Sequence, residues 1–79
     1  MRIDDFLSTV GIVKRRTVAK QLGDNGLLEV NGRVVKPAYQ VSALDVISIK
    51  GSRPFRAEVT ALPAGSVPKA KREEYFKAL

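Results

Sequence analysis

Apolar positions near the start of the chain recur at helical spacing. Ile3, Phe6, Leu7 and Val10 fall on one face, which predicts a helix over Ile3 to Val10. Asp4 or Asp5 is placed to cap its start, and Gly11 to break it. A second helix is predicted from about Arg15 to Asp24, with Val18, Ala19 and Leu22 turned inward and Arg16 and Lys20 on the far side. Asn25-Gly26 reads as a left-handed stop. The periodicity then shifts to that of strands. Leu28 and Val30 lead into Asn31-Gly32, a dipeptide suited to a hairpin whose two central residues need positive φ. Arg33, Val34 and Val35 return, and Pro37 ends that strand or puts it at an edge. Val41 stands alone before a turn over Ser42 to Asp45. Val46, Ile47 and Ile49 form the next strand, and Arg56 to Leu62 alternates with Ala57, Val59 and Ala61 on one side. Pro63 to Pro68 reads as a linker. Lys69 to Leu79 reads as a short terminal helix, or a tail that orders on binding. The fold class is α+β: two N-terminal helices packed on a small twisted, mainly antiparallel sheet, with a C-terminal appendage. Residues 1–62 form the domain, and 63–79 form the linker and the C-terminal helix or tail.

Charge sharpens this picture. With 79 residues the chain is one domain, and 44% apolar residues make disorder throughout untenable. Fourteen Lys and Arg against eight Asp and Glu give a net charge of +6, which favours a polyanionic partner: RNA, DNA or an anionic membrane. No apolar run approaches the ~20 residues that span a bilayer, and no signal peptide is read. The chain has no cysteine and no histidine. Disulfides, thiolate chemistry, the usual zinc ligands and the usual neutral-pH proton shuttle are thereby removed, and a reducing cytoplasm suits the chain. Asp4, Asp5, Asp24, Glu29, Asp45 and Glu58 are scattered at turns or on strands and form no spaced pair with a base, and the glycines match no phosphate loop. No catalytic residue, metal or cofactor is expected. The chemistry is binding, not catalysis.

The binding candidates are the basic residues. Lys14, Arg15, Arg16 and Lys20 lie close together, and Arg2 joins them if the first helix folds its start beside the second. A solvated helix face normally mixes signs, yet no acid stands between Asp5 and Asp24. Guanidinium groups grip phosphates bidentately and stack on bases, so this face suits a folded RNA backbone. A second group, Lys50, Arg53 and Arg56, either flanks the same ligand or protects a strand edge with positive charge. A third, Lys69, Lys71 and Arg72, is followed by Glu73 and Glu74 and reads as ordinary helix-surface pairing. Tyr39 and Phe55 are available to stack on bases, but covering a small core is the commoner role.

The stretch from Arg16 to Ile49 resembles the ribosomal-protein-S-four-like RNA-binding domain. The signature runs through Arg16, Ala19, Leu22, Gly26 and Val30-Asn31-Gly32, then Val34, Lys36-Pro37, Val41, Asp45 and Ile47. The opening Met1-Arg2-Ile3-Asp4 with Phe6-Leu7, and Val13-Lys14-Arg15-Arg16-Thr17 with Ala19-Lys20, is similar to the stand-alone bacterial branch of RqcP-like ribosome quality control P-site factors and their longer fifteen-kilodalton heat-shock relatives. A monomer is the default, since no heptad seam or long exposed apolar edge is visible, and the resemblance implies a cytoplasmic protein that performs no chemistry. It would bind the rRNA of the large ribosomal subunit and a stalled peptidyl-tRNA, while an RqcH-like tailing factor on the same subunit directs an alanine tail. By position, Arg2 and Arg16 would contact RNA, with Lys14, Arg15 and Lys20 in support. Neither DNA nor a membrane is an expected partner. A recycling or assembly role, or service as the RNA-guiding accessory of an RNA-modifying enzyme, are the alternatives. Two departures stand out. Leu44 replaces the usual turn glycine before Asp45, so another turn form is expected. Gly23 replaces a larger apolar residue, which should weaken the end of the second helix.

Overall fold

The computed structural model describes all 79 residues. Helix α1 spans Ile3–Thr9 and α2 spans Arg16–Asp24. Strands β1 (Leu28–Val30), β2 (Arg33–Val34), β3 (Val46–Ile49) and β4 (Phe55–Val59) follow. A 3-10 helix over Lys69–Glu74 then leads into β5, Phe76–Ala78. All strand pairs are antiparallel, in the order β2-β1-β3-β4-β5. The α+β class read from the sequence is the class observed.

Strand period explains the layering. Successive side chains point to opposite faces, so Leu28, Val30, Ile47, Ile49, Ala57 and Val59 are buried together. On the other face Glu29, Ser48 and Arg56 stand in one row across β1, β3 and β4. The helices cover only the apolar face. Ile3, Phe6, Leu7 and Val10 of the first helical segment pack there with Val13 and Ala19. Each full burial of such a side chain contributes roughly 1.5–3 kcal/mol. One core therefore fixes helices to sheet, and with them the turn that carries Lys14 and Arg15.

Local features of the chain depart from the sequence pattern at several points. Neither Asp4 nor Asp5 occupies the cap position of α1, although the Asp4 carboxylate accepts one first-turn N–H, that of Asp5, at 2.7 Å. The cap residue is Arg2, whose side chain caps no helix N–H. The Ile3 and Asp4 N–H groups donate to the carbonyls of Tyr39 (2.7 Å) and Pro37 (3.3 Å), so backbone acceptors satisfy the first two helix-start donors. Val18 is 41% exposed, not inward. The buried positions of α2 are Ala19 and Gly23, four apart. Gly23 is buried because Pro37 lies against it: a Cβ there would stand 2.6 Å from the proline ring. The turn before β3 keeps a left-handed residue, since Leu44 itself adopts φ +75°. Its N–H donates to the Val59 carbonyl at 2.7 Å, and that bond holds the turn against β4. The C-terminal stretch, read as helix or tail, is helical only to Glu74. Tyr75 and Phe76 pack against the core, and β5 adds an outer strand beside β4. The Asn31-Gly32 hairpin forms as read, with φ +53° and +84°.

Candidate nucleic-acid interface

The centre of the basic face is an acid. Asp4 is 1% exposed, and its carboxylate holds two arginines from different elements. Arg2 donates to both oxygens, Nε to Oδ1 at 3.1 Å and Nη2 to Oδ2 at 3.0 Å. The Arg16 Nε lies 3.7 Å from Oδ2. The Asp5 N–H fills another lone pair of Oδ1 at 2.7 Å. The arginine side chains remain 40% and 52% exposed. Each is therefore anchored by part of its fork with the rest left to water. A planar guanidinium with free N–H groups can still grip a phosphate.

Around this pair the candidates separate. Lys14 and Arg15 are exposed in the turn before α2 and make no ion pair. Lys20 is exposed but bonded to Asp24 at 3.1 Å, an i,i+4 pair open to solvent. Such a pair is worth only about 0.3–0.5 kcal/mol, so a phosphate can displace Asp24. The first turn of α2 has no acidic residue, and no side chain caps it. Cations at the positive end of a helix are unfavourable by a few tenths of a kcal/mol or more, roughly 0.3–1. Asp4 offsets this from α1, and an anion docking at the turn would do so further.

The second basic group divides. Lys50 stands 3.9 Å from Glu29. With Arg53 it lines a groove of about 580 Å³ that Lys14 also lines. Arg56 belongs to a separate hollow of about 540 Å³ on the open sheet face, beside Glu29, Asn31 and Ser48, and Lys50 borders both spaces with its ammonium toward Glu29. The third group does not pair as read. No ion pair joins Lys69, Lys71 or Arg72 to Glu73 or Glu74. A 3-10 helix has three residues per turn, so positions four apart do not align, and Lys71 and Glu74, three apart and aligned, do not pair either. Arg72 instead folds over Gly11, with its Nε buried and unpartnered. Phe55 meets Phe76 edge-on at 6.4 Å, the core-covering role.

Away from the basic face, two polar residues fasten one turn to another. Asn31 donates to Asp45 Oδ1 at 3.1 Å and accepts the Val46 N–H at 2.9 Å. Asp45 Oδ2 accepts the Ser42 N–H at 2.8 Å. The hairpin tip and the turn before β3 are thus tied together. The hairpin signal at Asn31 was visible in the sequence; its partner was not. Asp4 was read only as a cap, and nothing in its spacing marks it as the clamp. No group of three or more His, Cys, Asp or Glu side chains is placed to hold a metal ion. No helix is long and apolar enough to cross a membrane.

The model of the S4 domain matches residues 1–47. The RQC P-site tRNA stabilizing factor of Helicobacter pylori is 47% identical over 49 residues, which cover 62% of this chain and 58% of that protein. The chain thus spans a little over half of that relative. The factor of the same name from Listeria innocua is 33% identical over 76 residues, covering 95% of this chain and 83% of that protein. The trimeric structure of Vibrio cholerae Heat Shock Protein 15 superposes with a TM-score of 0.89, covering all of this chain and 81% of the other. At 18% identity it establishes a shared fold.

Proposed function

The chain belongs to the S4 domain family, and on that premise we propose that it is a ribosome-associated RNA-binding protein acting at the large subunit on P-site tRNA. The observation that carries the reading is Asp4. One buried carboxylate collects Arg2 and Arg16 from separate elements and leaves both partly exposed. A pair of arginines fixed this way fits a backbone recognised by shape. The near full-length likeness to RQC P-site tRNA stabilizing factors supports the choice of ligand.

In this reading Arg2 and Arg16 contact rRNA or tRNA, and Lys14, Arg15 and Lys20 add phosphate contacts. The protein supplies binding energy that favours one tRNA position over others, a population shift without bond making. An RqcH-like tailing factor would use the tRNA so held, in the cytoplasm. The test is recovery of RNA with the tagged protein from cells. Large-subunit rRNA with tRNA, free of small-subunit rRNA, is the expected result, with most of it lost in Arg16→Ala. Both rRNAs together would point to assembly. A yield unchanged by Arg16→Ala would sink the proposal.

A further inference from the structure

The groove that Lys14 shares with Lys50 and Arg53 lies between the α1–α2 turn and the β3–β4 loop. Its apolar lining includes Ile12, Leu22 and Phe55, which pack on the core but are only partly buried. Lys14 and Arg53 complete its wall, with Lys50 at its rim, where the ammonium turns to Glu29 on the open sheet face. Lys14 and Arg53 have no ion pair. Gly51 in the loop adopts φ +117°, and nothing stands within 4 Å of where its Cβ would be. Ligand backbone can therefore approach the loop closely.

A floor of exposed apolar surface beneath cations suits a ligand that is flat and apolar at one end and anionic at the other. A nucleotide has that form. A space of this size falls within the range of roughly 300–1,000 Å³ typical of small-ligand pockets. Lys14 also opens the run Lys14-Arg15-Arg16, so an RNA strand following that run reaches the groove mouth at Lys14. Charge and continuity thus favour RNA over a peptide. We propose that the groove receives one unpaired nucleotide of the bound RNA, its base on the Ile12, Leu22 and Phe55 surface and its phosphate on Lys14 and Arg53. The proposal rests on the RNA-binding reading above and adds a preference for an extruded base.

The experiment compares two RNA hairpins against the full chain, one with an unbroken stem and one with a single unpaired adenosine. Stacking is worth about 1–3 kcal/mol per base, so the bulged hairpin is expected to bind roughly tenfold tighter. Arg53→Ala, which removes a phosphate contact but keeps the stacking surface, should narrow the ratio of the two affinities. Arg16→Ala should weaken both hairpins and keep the ratio. The amide signals of Gly51 and Ser52 should shift with the bulged hairpin and stay still with the other. Equal affinities, or a preference that Arg53→Ala does not touch, would overturn the groove assignment while leaving RNA binding standing. Failure to bind either hairpin would remove both. Displacement of the bulged hairpin alone by an acidic amphipathic peptide would assign the groove to a protein partner.

Discussion

At the scale of single residues, Asp4 and Leu44 decide matters that charge counting and turn rules misjudge. Replacing Asp4 with Asn removes a negative charge beside the basic face, and simple electrostatics would expect tighter RNA binding. Positioning predicts the reverse. Without the carboxylate, Arg2 and Arg16 lose their common anchor and repel each other. Asp4→Asn should weaken RNA binding roughly three- to tenfold, about 0.7–1.4 kcal/mol, in a titration at fixed salt. Leu44 carries φ +75° with its side chain 73% exposed. Left-handed backbone is unfavourable for a side-chain residue by roughly 1–2 kcal/mol. Glycine would relieve this but adds freedom to the unfolded chain, about 0.4–1 kcal/mol in the other direction. Leu44→Gly should therefore stabilise the protein by up to about 1 kcal/mol, seen as a higher denaturation midpoint at unchanged slope. A fall in the midpoint would mean that Leu44 makes contacts that matter more than its strain. The basic residues were legible in the sequence because charge is local. The role of Asp4 was not, since it depends on Arg2 and Arg16 meeting at one point in space.

Elements were read well where the pattern is local and poorly where tertiary contact overrides it. The Asn31-Gly32 hairpin and the alternation in β3 follow from near neighbours. The inward face of α2 does not. Gly23 looks like a defect in a helix, and propensity alone credits Gly→Ala with about 1 kcal/mol of gain. Pro37 reverses the sign. A Cβ at Gly23 would stand 2.6 Å from the Pro37 Cγ and 3.0 Å from its backbone nitrogen, in a ring with little freedom to move. Gly23→Ala should destabilise the protein by roughly 1–3 kcal/mol, the range of overpacked sites, and thermal unfolding would read it directly. A gain in stability would show that the 36–40 segment yields easily. The same segment receives the first N–H groups of α1, so its displacement should also loosen Arg2. The C-terminal strand escaped the sequence reading for a related cause. Only three residues pair, Phe76–Ala78, and their partner β4 lies about twenty residues earlier.

For the whole molecule, the separation of an apolar-backed helical face from an open polar sheet face sets how the charge is met. The basic run lies on the helical side, while Arg56 belongs to the sheet hollow with Glu29. Binding should therefore use part of the positive charge. With Arg2, Lys14, Arg15 and Arg16 engaged, and Lys20 shared with Asp24, about four to five phosphates are neutralised. The logarithm of affinity should then fall with the logarithm of salt at a slope of roughly −3 to −4.5. Measurement across a salt series checks it, and a flat line would indicate a protein ligand. Charge of this kind is visible in composition, but which face carries it emerges only from the packing of α1 and α2 on one side of the sheet.

The shared carboxylate also orders the mutational routes open to this surface. If Arg16 changes first, Asp4 keeps its two bonds to Arg2 and the fold has a neighbouring state to occupy. If Asp4 changes first, two like charges are left side by side with no anchor. Descendants that abandon the cluster should therefore lose an arginine before they lose the aspartate, and a lineage that keeps Asp4 alone has already begun to leave.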